Sequence, residues 1–125
     1  MKPERERQSF LAALANAGQG VLHGVKNERN VQIDTVFAVL AVALGFIFQI
    51  SAAQWLAVVI CIGLVLALEL VNTALEAVVD LASPEYHELA RIAKDCAAGA
   101  CLVASICAFI VGVIIFLPCI LQLLS

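Results

Sequence analysis

The amino-acid sequence predicts an all-α membrane protein in which a surface helix precedes three transmembrane helices. The first observation is the composition, because 63% of the 125 residues are hydrophobic and only 14% are charged. A soluble domain of this size would carry roughly 25% charged residues. The second observation is a set of long uncharged runs, and the third is an amphipathic pattern that precedes them. We expect one domain, spanning residues 1–125.

The longest uncharged run, from Thr35 to Leu68, predicts two membrane spans. A single helix of that length would measure about 50 Å, whereas the hydrocarbon core of a membrane is about 30 Å thick. The chain must therefore turn back, and the polar residues Gln49, Ser51 and Gln54 mark the expected turn. The predicted spans are 31–49 and 52–80.

The last uncharged run, from Cys96 to Ser125, predicts a third span at 94–121. Residues 81–93 are then the loop between the second and third spans. Within this loop, Ser83 followed by Pro84 is expected to begin a helix, because a capping hydroxyl and a proline at the first helical position favour helix starts.

Residues 8–27 predict an amphipathic helix that lies in the membrane interface. Apolar side chains recur there at helical spacing, and polar side chains fall on the other side. Gly20 and Gly24 are spaced four residues apart. They either allow another helix to approach closely or are incidental positions on a surface helix.

The basic residues predict the orientation in the membrane. Lys26 and Arg29 precede the first predicted span, and Arg91 and Lys94 lie between the second and third. By the positive-inside rule, the N-terminus and the 81–93 loop face the cytoplasm and the C-terminus faces outward. The basic residues form no dense cluster with aromatic residues, which argues against nucleic-acid binding.

The five cysteines all lie in apolar runs and form no C-x-x-C pair. We interpret them as small apolar packing residues rather than as a disulfide framework.

The segment ELVNTALEAVVD, residues 69–80, places Glu69, Asn72, Glu76 and Asp80 on one stripe of the second predicted span. Glu69 lies roughly 16 Å along the helix from Asp80, which puts it inside the membrane boundary. An ionisable residue at that depth is costly and indicates function. Surplus carboxylates facing one cavity suit magnesium, although pairing with a Lys or Arg of a neighbouring helix is the structural alternative.

Further groups fall at the same end of the predicted bundle. Lys94 can contact a phosphate as a point charge, and Glu28 lies at about the same depth before the first span. The small residues 97–100 either pack closely against another helix or admit a lipid chain. This combination suggests phosphoryl transfer between a soluble and a membrane-borne reactant.

These residues resemble the small bacterial integral-membrane lipid kinases, the diacylglycerol kinase and undecaprenol kinase family. The resemblance rests on the pattern E-x-x-N-T-A-L-E-x-x-x-D at 69–80 and on EYHELARIAKDCAAGA at 85–100, and it covers nearly the whole chain. It implies a homotrimer with shared active sites in the bacterial cytoplasmic (inner) membrane. It also implies ATP as co-substrate, Mg²⁺ as cofactor, and the absence of a Walker-type glycine loop.

The resemblance further implies roles for individual residues. Glu69 would be the general base that takes the proton of the lipid hydroxyl, and Ala98 would line the lipid site with it. Glu28 and Glu76 would hold magnesium ions that bridge the ATP phosphates. The nucleotide contacts would be Asn72, Asp80, Glu85, Tyr86, His87, Lys94 and Asp95. A purely structural role in the loop explains His87 equally well.

The sequence leaves two lipids as candidate acceptors. The segment ERN, at 28–30, resembles the undecaprenol kinase branch, whereas EYHEL and LEAVVD resemble the diacylglycerol kinase branch. We prefer undecaprenol, because ERN lies where the lipid would enter the site.

Two other functional classes, a small transporter and a holin-like structural protein, fit the sequence less well than a kinase. A small transporter would carry its acid near the bilayer midplane, whereas the acids here cluster at one end. A structural, holin-like protein would tolerate the loss of Glu69.

Overall fold

The computed structural model describes residues 9–125 as four α-helices joined by short turns. The helices are α1 (Phe10–Asn27), α2 (Arg29–Ile47), α3 (Ala52–Ala82) and α4 (Glu88–Leu124). Of these, α2, α3 and α4 are long and apolar enough to cross a membrane. α2 and α3 differ from the first two predicted spans by no more than two residues at any end. Gln8, the predicted start of the surface helix, lies outside the described residues.

The end of α2 is closed by hydrogen bonds that satisfy its last carbonyl groups. Gln49 adopts a left-handed conformation with φ = 50°. Its N–H group donates to the carbonyl of Phe46, and the N–H group of Ile50 donates to that of Gly45. This pairing is the Schellman motif, in which glycine is the usual residue at the left-handed position. Here glutamine occupies that position and keeps a polar side chain at the membrane edge.

The start of α3 is closed by a reciprocal pair of hydrogen bonds. The Ser51 hydroxyl accepts from the Gln54 N–H, and the Gln54 side chain accepts from the Ser51 N–H. This capping box pairs donors that a helix start otherwise leaves free. Two of the three polar residues expected at the turn therefore cap α3.

The buried apolar contacts are concentrated beside this turn. Ile50 packs with Val58 of α3 and with Ile115 and Phe116 of α4. The cluster holds the far end of α4 at the level of the α2–α3 turn. α3 is the central helix, since it contacts α1, α2 and α4.

The helix lengths determine what projects from the membrane. The 19 residues of α2 span about 28 Å, close to the ~30 Å hydrocarbon core. The 31 residues of α3 and the 37 residues of α4 span about 46 and 55 Å. Because the cluster aligns α3 and α4 near the turn, the excess length of α3 and the first turns of α4 project at the opposite end. The last residues of α4, 117–124, extend past the cluster.

The connection between α3 and α4 is shorter than the predicted 81–93 loop. α3 continues to Ala82, and Ser83 is its C-cap rather than the start of a helix. α4 begins at Glu88, six residues before the predicted position 94. His87 is the N-cap, and its Nδ1 accepts a hydrogen bond from the Leu89 N–H.

Ion pairs rather than apolarity support the early start of α4. Arg91 pairs with Glu88, one turn before it, and with Asp95, one turn after it. Pairs at these spacings stabilise a helix in water. The third predicted span was placed from apolar runs, and α4 extends ahead of it through these charged turns.

α1 begins at the cap residue Ser9, whose hydroxyl accepts from the Ala12 N–H. Gly24 is buried, and a Cβ atom built there would lie 2.6 Å from Leu70 Cδ2. No such neighbour lies within 4 Å of Gly20. One of the two glycines therefore permits close packing of α1 on α3. Phe10 is 78% exposed, and the placement of α1 in the membrane interface stays a prediction.

Gly45 provides a test of the α2–α3 packing. A Cβ atom at this position would lie 2.6 Å from the ring of Trp55. We expect Gly45→Ala to lower the free energy of unfolding by about 1–3 kcal/mol, because the overpacked ring must move. Gly63→Ala is the matched control, since no neighbour lies within 4 Å of its Cβ position, and its effect should stay below about 1 kcal/mol. Unfolding in detergent micelles, followed by circular dichroism, measures both. Equal stabilities would contradict the tight contact.

Candidate active site

A cavity of about 280 Å³ lies between α2, α3 and α4. Its polar lining consists of Asn30 and Asp34 from α2, Glu69 from α3 and Ser105 from α4. Ala98 also lines it. The two residues that the resemblance assigns to the lipid site, Glu69 and Ala98, therefore face one cavity.

Glu69 is buried near the edge of the membrane. It is 6% exposed, and it lies about 26 Å along α3 from Ala52. The salt bridges within residues 9–125 all involve Arg91 or Lys94, and none includes Glu69. Within this part of the chain, Glu69 is therefore a buried acid without a basic partner.

Asp34 is the site residue that the sequence analysis did not single out. It lines the same cavity, its Oδ2 is buried without a hydrogen-bond partner, and its carboxyl group is within hydrogen-bonding reach of Glu69. A signal was present in the sequence, because Asp34 and Glu69 bracket the uncharged run. Ser51 lies 17 residues from one and 18 from the other, so a hairpin at this turn brings both acids to the same height.

The polar stripe continues along α3 beyond Glu69. Asn72 is 9% exposed, and its Nδ2 donates to Glu76 Oε1 at 3.3 Å. Its Oδ1 is buried without a partner, whereas Glu76 is exposed. A free amide oxygen beside a carboxylate offers two hard oxygen ligands of the kind that magnesium prefers. Asn72 and Glu76 thus fit the predicted metal.

Glu28 lies where α1 meets α2. It is the N-cap residue of α2, but its side chain makes no capping hydrogen bond. Within residues 9–125, no three His, Cys, Asp or Glu side chains are grouped to hold a metal ion. The two predicted metal ligands, Glu28 and Glu76, are therefore not parts of a preformed cage in the described chain.

Asp80 and Lys94 join the projecting ends of α3 and α4 in an ion pair of 2.5 Å. The side chains of Asp80 and Lys94 are 66% and 41% exposed, so solvent screens the attraction between them and the pair is weak. A pair this weak can open, which leaves Lys94 able to contact another anion. Asp95 is held nearby by Arg91 at 2.8 Å.

The turn between α3 and α4 carries three predicted nucleotide contacts, Glu85, Tyr86 and His87, and all three are exposed. The Tyr86 hydroxyl donates to the Glu88 carboxylate at 2.7 Å. This hydrogen bond raises the pKa of the Tyr86 phenol above its ordinary value. His87 serves as the cap of α4, which gives it a structural role that requires no nucleotide.

A larger cavity of about 500 Å³ runs along the membrane-spanning parts of α2, α3 and α4. Asp34 and Ser105 line both cavities, and apart from these two residues and Cys61 the larger one is lined by Gly and apolar side chains as far as Phe116. We call the two together the α2–α4 groove. It is polar at the Glu69 end and apolar along its length, which matches an amphiphile.

The sequence model of prokaryotic diacylglycerol kinase matches residues 15–116. This chain belongs to the prokaryotic diacylglycerol kinase family. The match confirms the resemblance, and it identifies the chain as a lipid kinase of the membrane rather than a transporter or a holin-like protein. Together with α2, α3 and α4, membership of the diacylglycerol kinase family makes it a multi-pass membrane protein.

Relatives in the family carry two different names. An undecaprenol kinase of Bacillus subtilis is 38% identical over 113 residues, which are 90% of this chain and 92% of that protein. A diacylglycerol kinase of Synechocystis is 42% identical over 117 residues, 93% of this chain and 67% of that protein. A diacylglycerol kinase of Escherichia coli is 37% identical over 84 residues, 67% of this chain and 69% of that protein.

The burial of Glu69 generates a prediction about stability. We expect Glu69→Gln to raise the free energy of unfolding by about 1 kcal/mol, because an acid without a basic partner is costly inside a membrane and functional sites commonly sacrifice stability. Glu76→Gln on the exposed part of the same helix is the control, and should change stability by less than about 0.5 kcal/mol. Thermal unfolding in detergent micelles checks both variants. A less stable Glu69→Gln would show that the carboxylate supports the fold.

Proposed function

We propose that this protein transfers the γ-phosphoryl group of ATP to the terminal hydroxyl of a membrane lipid, with Mg²⁺ as cofactor and undecaprenol as acceptor. The observation that carries this proposal is the position of Glu69. It is buried, lines the polar end of the α2–α4 groove, and precedes the exposed acid stripe on the same helix face. A lipid lying in the groove would present its hydroxyl at Glu69, while ATP approaches from the water beyond.

The reaction requires one proton transfer and one phosphoryl transfer. Glu69 accepts the hydroxyl proton as general base. The lipid oxygen forms a bond to the γ-phosphorus, and the bond from that phosphorus to the β–γ bridging oxygen of ATP breaks, so that ADP leaves. As in other phosphoryl transfers, the protein contributes mainly by positioning the reactants and by neutralising charge.

The residues beyond Glu69 are proposed to hold the nucleotide and its metal. Glu28 and Glu76 would be the carboxylate ligands of magnesium, and Asn72 would add its free amide oxygen. Magnesium commonly takes one or two carboxylates and completes its shell with phosphates and water, and when bound it neutralises the phosphate charge. The proposed nucleotide contacts are Asp80, Glu85, Tyr86, His87, Lys94 and Asp95.

The choice of undecaprenol is supported by the extent of one alignment. The protein named undecaprenol kinase matches this chain over 92% of its own length. Diacylglycerol is the second candidate, because the Synechocystis relative named diacylglycerol kinase has the higher identity, 42%. Both lipids present a primary hydroxyl, so the chemistry at Glu69 would be the same.

We further propose a homotrimer with shared active sites in the bacterial cytoplasmic (inner) membrane. Only 11% of the apolar window of α2 is buried within the chain, and 22% of those of α3 and α4, which leaves large apolar faces for lipid and for other copies. The basic residues Lys26, Arg29, Arg91 and Lys94 favour a cytoplasmic location for the α3–α4 turn and the N-terminus. The C-terminus would then face outward.

A phosphate-transfer assay in mixed micelles tests the proposed activity. Labelled ATP is offered with a diacylglycerol and a C55 polyprenol in parallel. We expect magnesium-dependent label in lipid, predominantly in the polyprenol, and a loss of at least about 10²-fold in Glu69→Gln. Label found mainly in diacylglycerol would identify diacylglycerol, instead of undecaprenol, as the acceptor. The proposed function would be wrong if a folded wild-type protein labelled neither lipid.

The metal assignment has its own test. Glu76→Gln is expected to raise the magnesium concentration needed for half-maximal activity by about 10-fold, because a neutral amide is a weaker ligand than a carboxylate. Glu88→Gln removes an exposed acid that pairs with Arg91, and should leave the magnesium response unchanged. Titrating activity with magnesium at saturating ATP compares the two variants. An identical magnesium response in both would remove Glu76 from the metal site.

A further inference from the structure

A second carboxyl group, that of Asp34, lies beside Glu69, and base catalysis by Glu69 alone does not explain its presence. The two carboxyl groups approach from different helices, α2 and α3, and are within hydrogen-bonding reach of each other. Both line the cavity, Glu69 is 6% exposed, and Asp34 Oδ2 is buried without a partner. Their approach is built into the hairpin, since the α2–α3 turn lies midway between them.

A hydrogen bond between two carboxyl groups requires a proton. An ionised carboxylate can only accept hydrogen bonds, whereas a protonated one carries an O–H donor. Two carboxylates that share a site also repel each other when both are charged. The contact is therefore favourable only when one of the two groups is protonated.

Residues 9–125 of the same chain supply no positive charge that would relieve this repulsion. Among the described residues, the titratable groups acting on Glu69 besides Asp34 are the Cys101 thiol from α4 and the Glu76 carboxylate on α3. Neither is a cation. The nearest basic residues of α4, Arg91 and Lys94, are paired with other acids.

From this geometry we infer that Asp34 and Glu69 hold one proton between them, and that Asp34 is a positioning residue for the Glu69 carboxylate. The consequence for catalysis rests on the proposed function, whereas the shared proton does not. When the shared proton lies on Asp34, its hydroxyl would donate to the Glu69 carboxylate and fix its orientation, so that the other Glu69 oxygen faces the cavity and the lipid hydroxyl. The proton taken from the lipid would give the pair a second proton, which returns to water when the product leaves.

Infrared spectroscopy tests the shared proton without any substrate. The protein is measured in an ester-free detergent at neutral pH, in water and in D₂O. We expect wild type to show the carbonyl stretch of a protonated carboxylic acid, shifted by deuterium. Asp34→Asn and Glu69→Gln should each shift or remove this band, because the proton can no longer be shared between two carboxyl groups. Ser105→Ala, which alters the same cavity, should keep it.

Activity then tests the positioning role. Asn at position 34 still offers a hydrogen-bond donor, so Asp34→Asn should retain kcat within about 10-fold of wild type. Asp34→Leu cannot donate and should lose about 10²-fold in kcat, with the KM for ATP unchanged. Rescue by Asn but not by Leu separates positioning from a merely structural role, provided that both variants elute as the same oligomer as wild type.

Several outcomes would overturn the inference. These are the absence of the acid band in wild type, an unchanged band in Asp34→Asn or Glu69→Gln, and equal kcat in Asp34→Asn and Asp34→Leu. A wild-type preparation that phosphorylates neither lipid would instead refute the proposed function. In that case the infrared bands would still decide whether the pair shares a proton.

Discussion

The hydrocarbon core of a membrane offers no partner to a polar group, and this constraint shapes both the chain and its site. Backbone groups must be paired within helices, so the chain crosses as α2, α3 and α4 and turns only where side chains and backbone close the helix ends. The turn at 48–51 does this in four residues, with Gln49 in the left-handed conformation and Ser51 as the cap of α3. A short, closed turn leaves little freedom in how α2 and α3 align.

That alignment fixes the height of the site. The cluster around Ile50 and Phe116 anchors the helices at one membrane face. The distance of a residue along α3 from this cluster therefore gives its depth in the membrane. Glu69 falls inside the hydrocarbon edge, and Glu76 lies about 10 Å further along the helix, beyond that edge. One face of α3 thus extends from the hydrocarbon core into water. A membrane lipid and a soluble nucleotide can meet only at such a boundary, and the proposed reaction requires that meeting.

The sequence predicted those parts of the fold that depend on hydropathy, and less well those that depend on local polar bonds. The turn near Ser51 was predictable, because an uncharged run of that length cannot cross once. The helix start expected at Ser83 was wrong, since the first turns of α4 are held by the His87 cap and by Arg91 and begin at Glu88. Glu69 stood out as an acid within an apolar pattern. Asp34 did not, because it looked like the boundary of a run, and only the hairpin shows that it faces Glu69.

The identity of residue 34 also bears on why a second acid is tolerated there. A lysine at this position would pair with Glu69 and offset the cost of burial, but the ion pair would occupy the oxygens that must take a proton. An apolar residue would remove the repulsion and leave only the weak Cys101 thiol donor beside the Glu69 carboxylate among the described residues. An acid that carries a proton supplies a neutral donor and adds no net charge to the cavity. The arrangement is costly for the fold and suited to a base in hydrocarbon, which is the trade-off expected where function opposes stability.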